Sequence, residues 1–97
     1  MNVARHFVIR GRVQGVGYRA FVEDAALDHG LAGWVRNRRN GEVEAVFAGS
    51  LAAVSTVAHV CRRGPPAARV DSIDEREATA EELALGDGVR FAVLPTL

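Results

Sequence analysis

An α+β sandwich, with two helices on one face of a mainly antiparallel sheet, is the fold this chain predicts. Apolar and polar residues alternate in several short runs, the period of half-buried strands. Two longer runs instead repeat apolar residues at helical spacing, and a glycine closes each. At 97 residues, 48% hydrophobic and 25% charged, the chain has the length and composition for one core and one domain spanning residues 1–97.

The elements follow in order. From His6 to Val13, residues Phe7, Ile9, Gly11 and Val13 share one face of a strand, with His6, Val8, Arg10 and Arg12 on the other. After a glycine-containing loop, Tyr18, Phe21, Val22, Ala25 and Ala26 trace a helix to Leu27, and Gly30 is placed to cap it. Leu31, Gly33, Val35 and Asn37 form one face of a second strand, with Trp34 and Arg36 opposite. Asn40-Gly41 signals a hairpin, since both residues tolerate the positive φ of such turns. In the third strand Val43, Ala45 and Phe47 point inward and Glu42 and Glu44 outward. Ser50 is a helix N-cap residue. Leu51, Val54, Val57, Ala58 and Cys61 then form an apolar stripe that Gly64-Pro65-Pro66 ends. Val70 to Glu77 reads as an irregular, bulged strand. The stretch Ala78 to Gly88 is polar and turn-rich, with a helical turn at Glu81-Glu82, and Arg90 to Leu94 is a short last strand with Phe91 and Val93 on one face. Strand, helix, strand, strand, helix, strand plus a terminal strand is the order of a ferredoxin-like sandwich, βαββαβ with one addition.

Composition excludes several functions. Twelve acidic residues balance twelve basic ones, so net charge favours neither nucleic acid nor membrane. All twelve basic residues are arginines, which removes Schiff-base chemistry and the Walker lysine. One cysteine provides no disulfide framework. The N-terminus lacks a signal peptide's apolar segment, and no run approaches the ~20 apolar residues of a membrane helix. A cytoplasmic monomer is expected.

The stretch Gln14-Gly15-Val16-Gly17-Tyr18-Arg19 carries the chemistry. Gly15 and Gly17 allow consecutive N–H groups to point into one concavity, with a helix N-terminus behind it. Arg19 adds a permanent cation whose planar fork suits phosphate oxygens. The first two strands are joined through a helix and so run parallel, which puts their C-terminal ends on one edge. With the third strand inserted between them, the loop and Asn37 are two strand spacings apart, on the order of 10 Å. A phosphate in the loop can therefore reach Asn37. The Asn37 amide does not ionise near neutral pH, but it can hold a water at a fixed angle to a bound electrophile. The chemistry suggested is hydrolysis of a phosphate derivative by a positioned water.

Gly11-Arg12-Val13-Gln14-Gly15-Val16-Gly17-Tyr18-Arg19 and Gly33-Trp34-Val35-Arg36-Asn37 resemble the two signature segments of the acylphosphatases. Asn40-Gly41-Glu42-Val43-Glu44, Gly49 and Gly64-Pro65 also fall where that family has them. The resemblance implies hydrolysis of an acyl phosphate to a carboxylate and inorganic phosphate, which is both product and inhibitor. It implies phosphate binding by the amides of Gly15, Val16, Gly17, Tyr18 and Arg19 together with the Arg19 side chain. It also implies water orientation by Asn37, no metal or other cofactor, and proton acceptance by the substrate's own phosphate. Tyr18 stands where many members carry Phe.

Competing readings are weaker. Gly15, Gly17 and Ala20 match the dinucleotide pattern G-x-G-x-x-A, but the second strand ends in Arg36-Asn37 rather than an acidic residue for the ribose. A non-catalytic phosphate- or RNA-binding module shares the architecture, yet the outward Glu42 and Glu44 would repel a nucleic-acid backbone. Carbamoyl-phosphate chemistry is a third possibility, found where such domains sit inside larger enzymes. Cys61 lacks the C-x5-R run of a phosphatase nucleophile and reads as a buried thiol. His6, His29 and His59 have no metal spacing. Asp71, Asp74, Glu75 and Glu77 read as a solvated strand, and Trp34 as packing. Arg38 and Arg39 flank Asn37, where either substrate steering or solubility explains them.

Overall fold

The computed structural model describes the whole of Met1–Leu97. Its elements are β1 (Asn2–Arg12), α1 (Tyr18–Asp28), β2 (Ala32–Asn37), β3 (Val43–Ser50), α2 (Leu51–Arg63), β4 (Arg69–Glu77), the one-turn helix α3 (Ala80–Leu83) and β5 (Ala92–Val93). They form one sheet in the order β4-β1-β3-β2-β5. The central strand β3 runs antiparallel to both β1 and β2, which are therefore parallel to each other. β4 is antiparallel to β1, and β5 is parallel to β2. The ends of β1 and β2 thus meet one edge, where the glycine loop and Asn37 lie. The expected bulge is in β4: Arg10 faces Ser72 and Gly11 faces Val70, leaving Asp71 without a partner.

Both helices cover one face. Val22 and Ala26 of α1 and Val54, Val57, Ala58 and Cys61 of α2 are buried against Phe7, Ile9, Val35, Val43, Ala45 and Phe47. Phe47 sits between two rings, edge-on to Phe7 at 5.1 Å and stacked on Phe91 at 5.6 Å. Ser50 caps α2 by accepting from the Ala53 amide at 3.1 Å, and Gly64 ends it at φ 65°. Burial pushes the Cys61 thiol up to about 12.

Apart from β1 starting at Asn2 rather than His6 and ending at Arg12 rather than Val13, the structure departs from the sequence pattern in four places. Leu51 opens α2 ahead of the packed stripe and is exposed. The last strand shrinks to Ala92–Val93, because Asp87 Oδ1 accepts from the Val89 and Arg90 amides and keeps the chain turning. Phe91 is buried but Val93 is exposed, so the two do not act as one apolar face. In the hairpin only Gly41 has positive φ; Asn40 instead accepts from the Glu42 amide through its side chain.

The fourth departure concerns the sheet's other face. Glu44 points away from the helices as expected, yet it is 7% exposed rather than solvated. The segment after β4 folds back over this face, and its helix α3 carries a capping box made by Thr79 and Glu82. Trp34 Nε1 donates to the Glu82 carbonyl at 2.7 Å, so Trp34 is fully buried packing. Beneath this strap His6 Nε2 lies 2.7 Å from Glu44 and 3.6 Å from Glu82. Glu44 also accepts from Arg36 and Arg38, and Glu82 from Arg76.

Hydrogen bonds from Arg76 and from the Thr79 amide hold the Glu82 carboxyl at about 2, well below its ordinary 4.5. Burial works to raise the Glu44 carboxyl, but its donors His6, Arg36 and Arg38 outweigh burial and lower it. Folded-state values below the unfolded ones mean stability that is full above pH 4.5 and is lost as pH falls toward 2. Urea midpoints measured down that range should fall, and Glu82→Gln should flatten the descent while lowering stability at neutral pH.

Candidate active site

The loop Val13–Gly17 and the first turn of α1 face Asn37 across a cleft of about 190 Å³. Its walls are Val13, Gln14, Gly15, Gly17, Tyr18, Arg19, Ala20 and Asn37. Gly15 and Gly17 take φ of 72° and 79°, left-handed values that would strain a side chain. Gly17 is the N-cap of α1 and offers no side chain to cap it. None of the amides from Gly15 to Ala20 donates to a protein acceptor; the first to do so is Phe21, to the Gly17 carbonyl at 3.1 Å. A run of unmet donors at a helix N-terminus is an anion site. Val16 contributes its amide to this run, while its side chain packs against the core.

Arg19 is half-buried beside these amides. Arg10, Arg36, Arg38, Arg69 and Arg76 are each bound to carboxylates, but Arg19 has no such partner. Its charge is therefore available to a ligand. On the opposite wall, Asn37 Oδ1 is buried and accepts no hydrogen bond. A buried acceptor left unmet costs roughly 1–3 kcal/mol, so this wall is built for a bound donor.

Two side chains that the sequence pattern did not single out hold these parts together. Gln14 Nε2 donates to the carbonyls of Arg38 and Glu42 at 2.7 and 2.8 Å, stapling the loop to the hairpin that follows Asn37. Tyr18 is buried, and its hydroxyl donates to the Cys61 carbonyl at 2.8 Å. In a continuing helix that carbonyl would accept from residue 65, but Pro65 has no N–H. Tyr18 supplies the missing donor, so its hydroxyl fixes α1 to the end of α2. The proline was the signal that could have revealed this role. Burial raises the phenol far above its ordinary value, so Tyr18 stays neutral.

No His, Asp or Glu lines the cleft. His6, Glu44 and Glu82 do come within 4.8 Å of one another, a grouping that residue spacing concealed. Their oxygens already face Arg36, Arg38, Arg76 and the Thr79 amide, so the cluster is an ion-pair network rather than a metal centre. Arg38 is part of it, whereas Arg39 is exposed and has its amide on the Leu97 carbonyl at 3.1 Å.

The acylphosphatase family model matches residues 5–91. An acylphosphatase from Bradyrhizobium diazoefficiens is 57% identical over 91 residues, covering 93% of this chain and 92% of the relative. Another, from Rhodopseudomonas palustris strain BisB18, is 53% identical over 97 residues, covering 99% and 98%. The structure of an acylphosphatase from Coxiella burnetii superposes with a TM-score of 0.85 at 31% identity, covering 96% of this chain and 93% of that one.

Replacing Tyr18 with Phe leaves the Cys61 carbonyl buried without a donor. Tyr18→Phe should lower unfolding free energy by about 1–3 kcal/mol in denaturant titration. Turnover should remain, because the hydroxyl faces α2 and not the cleft.

Proposed function

The chain belongs to the acylphosphatase family and hydrolyses the carboxyl–phosphate anhydride of acyl phosphates, and we propose that it does so by direct attack of a water held by Asn37. The phosphoryl group sits on the amides of Gly15, Val16, Gly17, Tyr18 and Arg19, with the Arg19 guanidinium completing the cradle. Asn37 Oδ1 accepts one hydrogen of the water and aims its lone pair at phosphorus. The new P–O bond forms as the P–O bond to the acyl group breaks. The electron pair leaves with the carboxylate, and the water's proton passes to a phosphate oxygen. Bound donors stabilise charge on the equatorial oxygens throughout.

The observation that carries this assignment is the buried Asn37 carbonyl with no hydrogen-bond partner, facing a run of unmet amides. Proton acceptance by the substrate is supported by the cleft's walls, which hold no residue that would act as a base at neutral pH. A single buried core cluster supports one domain over residues 1–97. A lone buried cysteine suits the cytoplasm. Against nucleic acid as a partner stands the back of the sheet, where the strap and an arginine–carboxylate network occupy the surface that RNA-binding sheets expose.

Benzoyl phosphate hydrolysis in the presence of chelator tests the assignment. Arg19→Ala should lose turnover and inhibition by phosphate together; retained inhibition would remove Arg19 from the cradle. Asn37→Ala should keep the inhibition constant for phosphate while kcat falls on the order of 100-fold. A matching loss of phosphate affinity would make Asn37 a phosphate ligand instead.

A further inference from the structure

Asn37 stands between two arginines that grip the same buried carboxylate. Arg36 Nε donates to Glu44 Oε1 at 2.8 Å, and Arg38 Nη1 reaches that same oxygen at 3.0 Å. The second oxygen, Oε2, is 2.7 Å from His6 Nε2, and beyond His6 lies Glu82, itself bound to Arg76. Arg36 is further confined by the Trp34 ring, 4.7 Å from its Cζ. Glu44 belongs to the central strand and faces Arg36 directly across the β2–β3 pair.

Successive side chains of a strand point to opposite faces. The backbone around Asn37 is held by the amide of Arg38 donating to the Glu42 carbonyl at 2.8 Å and by the amide of Leu97 donating to the Asn37 carbonyl at 3.1 Å. Fixing side chains 36 and 38 on the back of the sheet adds a further restraint on the peptide planes either side of Asn37, and so on the direction of its Cα–Cβ bond toward the cleft. Stability alone does not require charge here, because well-packed apolar residues commonly stabilise a buried position as well as an ion pair does. What the ionic construction adds is direction: three donors converge on one carboxylate in a single geometry. We propose that Glu44 is a positioning residue for the hydrolytic reaction, acting from the back of the sheet through Arg36 and Arg38 to set the angle at which Asn37 presents water. The proposal rests on Asn37 as the water-orienting group, and Glu44 touches neither substrate nor water.

The test compares wild type, Glu44→Gln, Asn37→Ala and the double variant on benzoyl phosphate, with kcat and the inhibition constant for inorganic phosphate measured for each. Glu44→Gln should lower kcat on the order of tenfold, short of the ~100-fold that misplacement by a full ångström can cost. Phosphate inhibition should be unchanged, and the substitution should add no further loss to Asn37→Ala. Wild-type kcat in Glu44→Gln, with Asn37→Ala impaired, would overturn the proposal and leave Asn37's role standing. An equal loss in the presence and absence of Asn37 would overturn it too, by showing that Glu44 acts elsewhere. Wild-type kcat in Asn37→Ala would bring down the underlying assignment, visibly and separately. If Glu44→Gln does not fold, Arg38→Gln and Arg38→Lys replace it, since Arg38 is the more exposed partner. Arg38→Gln should lower kcat and Arg38→Lys should keep most of it; an unchanged kcat in Arg38→Gln would overturn the proposal. A steering role for Arg38 would appear instead as a salt-dependent rise in KM with kcat intact.

Discussion

Backbone pairing of β3 with β1 on one side and β2 on the other is the interaction on which the rest of the structure depends. It forces two strands far apart in sequence to run parallel and to end on one edge, with one strand's width between them. Each end then delivers something the other lacks. β1 delivers a turn whose amides have nowhere in the protein to donate, and β2 delivers an amide oxygen with nothing to accept. The free energy of folding is supplied elsewhere, by the apolar layer under α1 and α2. The site itself keeps unmet polar groups that a substrate and its water can satisfy.

The two faces of the sheet do different work. Toward the helices, Phe7, Phe47 and Phe91 and the aliphatic residues around them need only volume and shape. Toward the strap, His6, Glu44, Glu82 and three arginines depend on direction, and each carboxylate is met by more than one donor. The apolar face holds the strands together, and the charged face limits how they can rotate.

Much of this was legible in the sequence. Period-two and helical runs placed both helices and β1 to β3, because each has one clearly apolar side, whereas β4 showed only as an irregular strand, since just Val70 and Ile73 of it turn inward. The pairing of Gly15, Gly17 and Arg19 with Asn37 was legible because topology alone brings two strand ends together. Glu44 was not, since an outward glutamate reads as solvated unless the later strap is known to cover it. The start of β5 was misplaced for a related reason: Asp87 bonds two amides and keeps residues 89 and 90 turning, which the spacing of Phe91 and Val93 does not reveal. Tyr18 was placed on the first helix and among the phosphate-binding amides, but the role of its hydroxyl was not legible, because the need for it arises from a missing donor 47 residues later, at Pro65.

Cys61 gives the molecule a clock. Its sulfur is fully enclosed in the core and its thiol is pushed up to about 12, so a reagent that needs thiolate finds almost none while α2 is docked. Once α2 leaves the sheet, the same sulfur becomes an ordinary reactive thiol, and it is the only one in the chain. The pace of its alkylation therefore records how often the core opens at this one position. Since the carbonyl of that same cysteine accepts from Tyr18, the recorded opening is also one that breaks the tie between α2 and the start of α1.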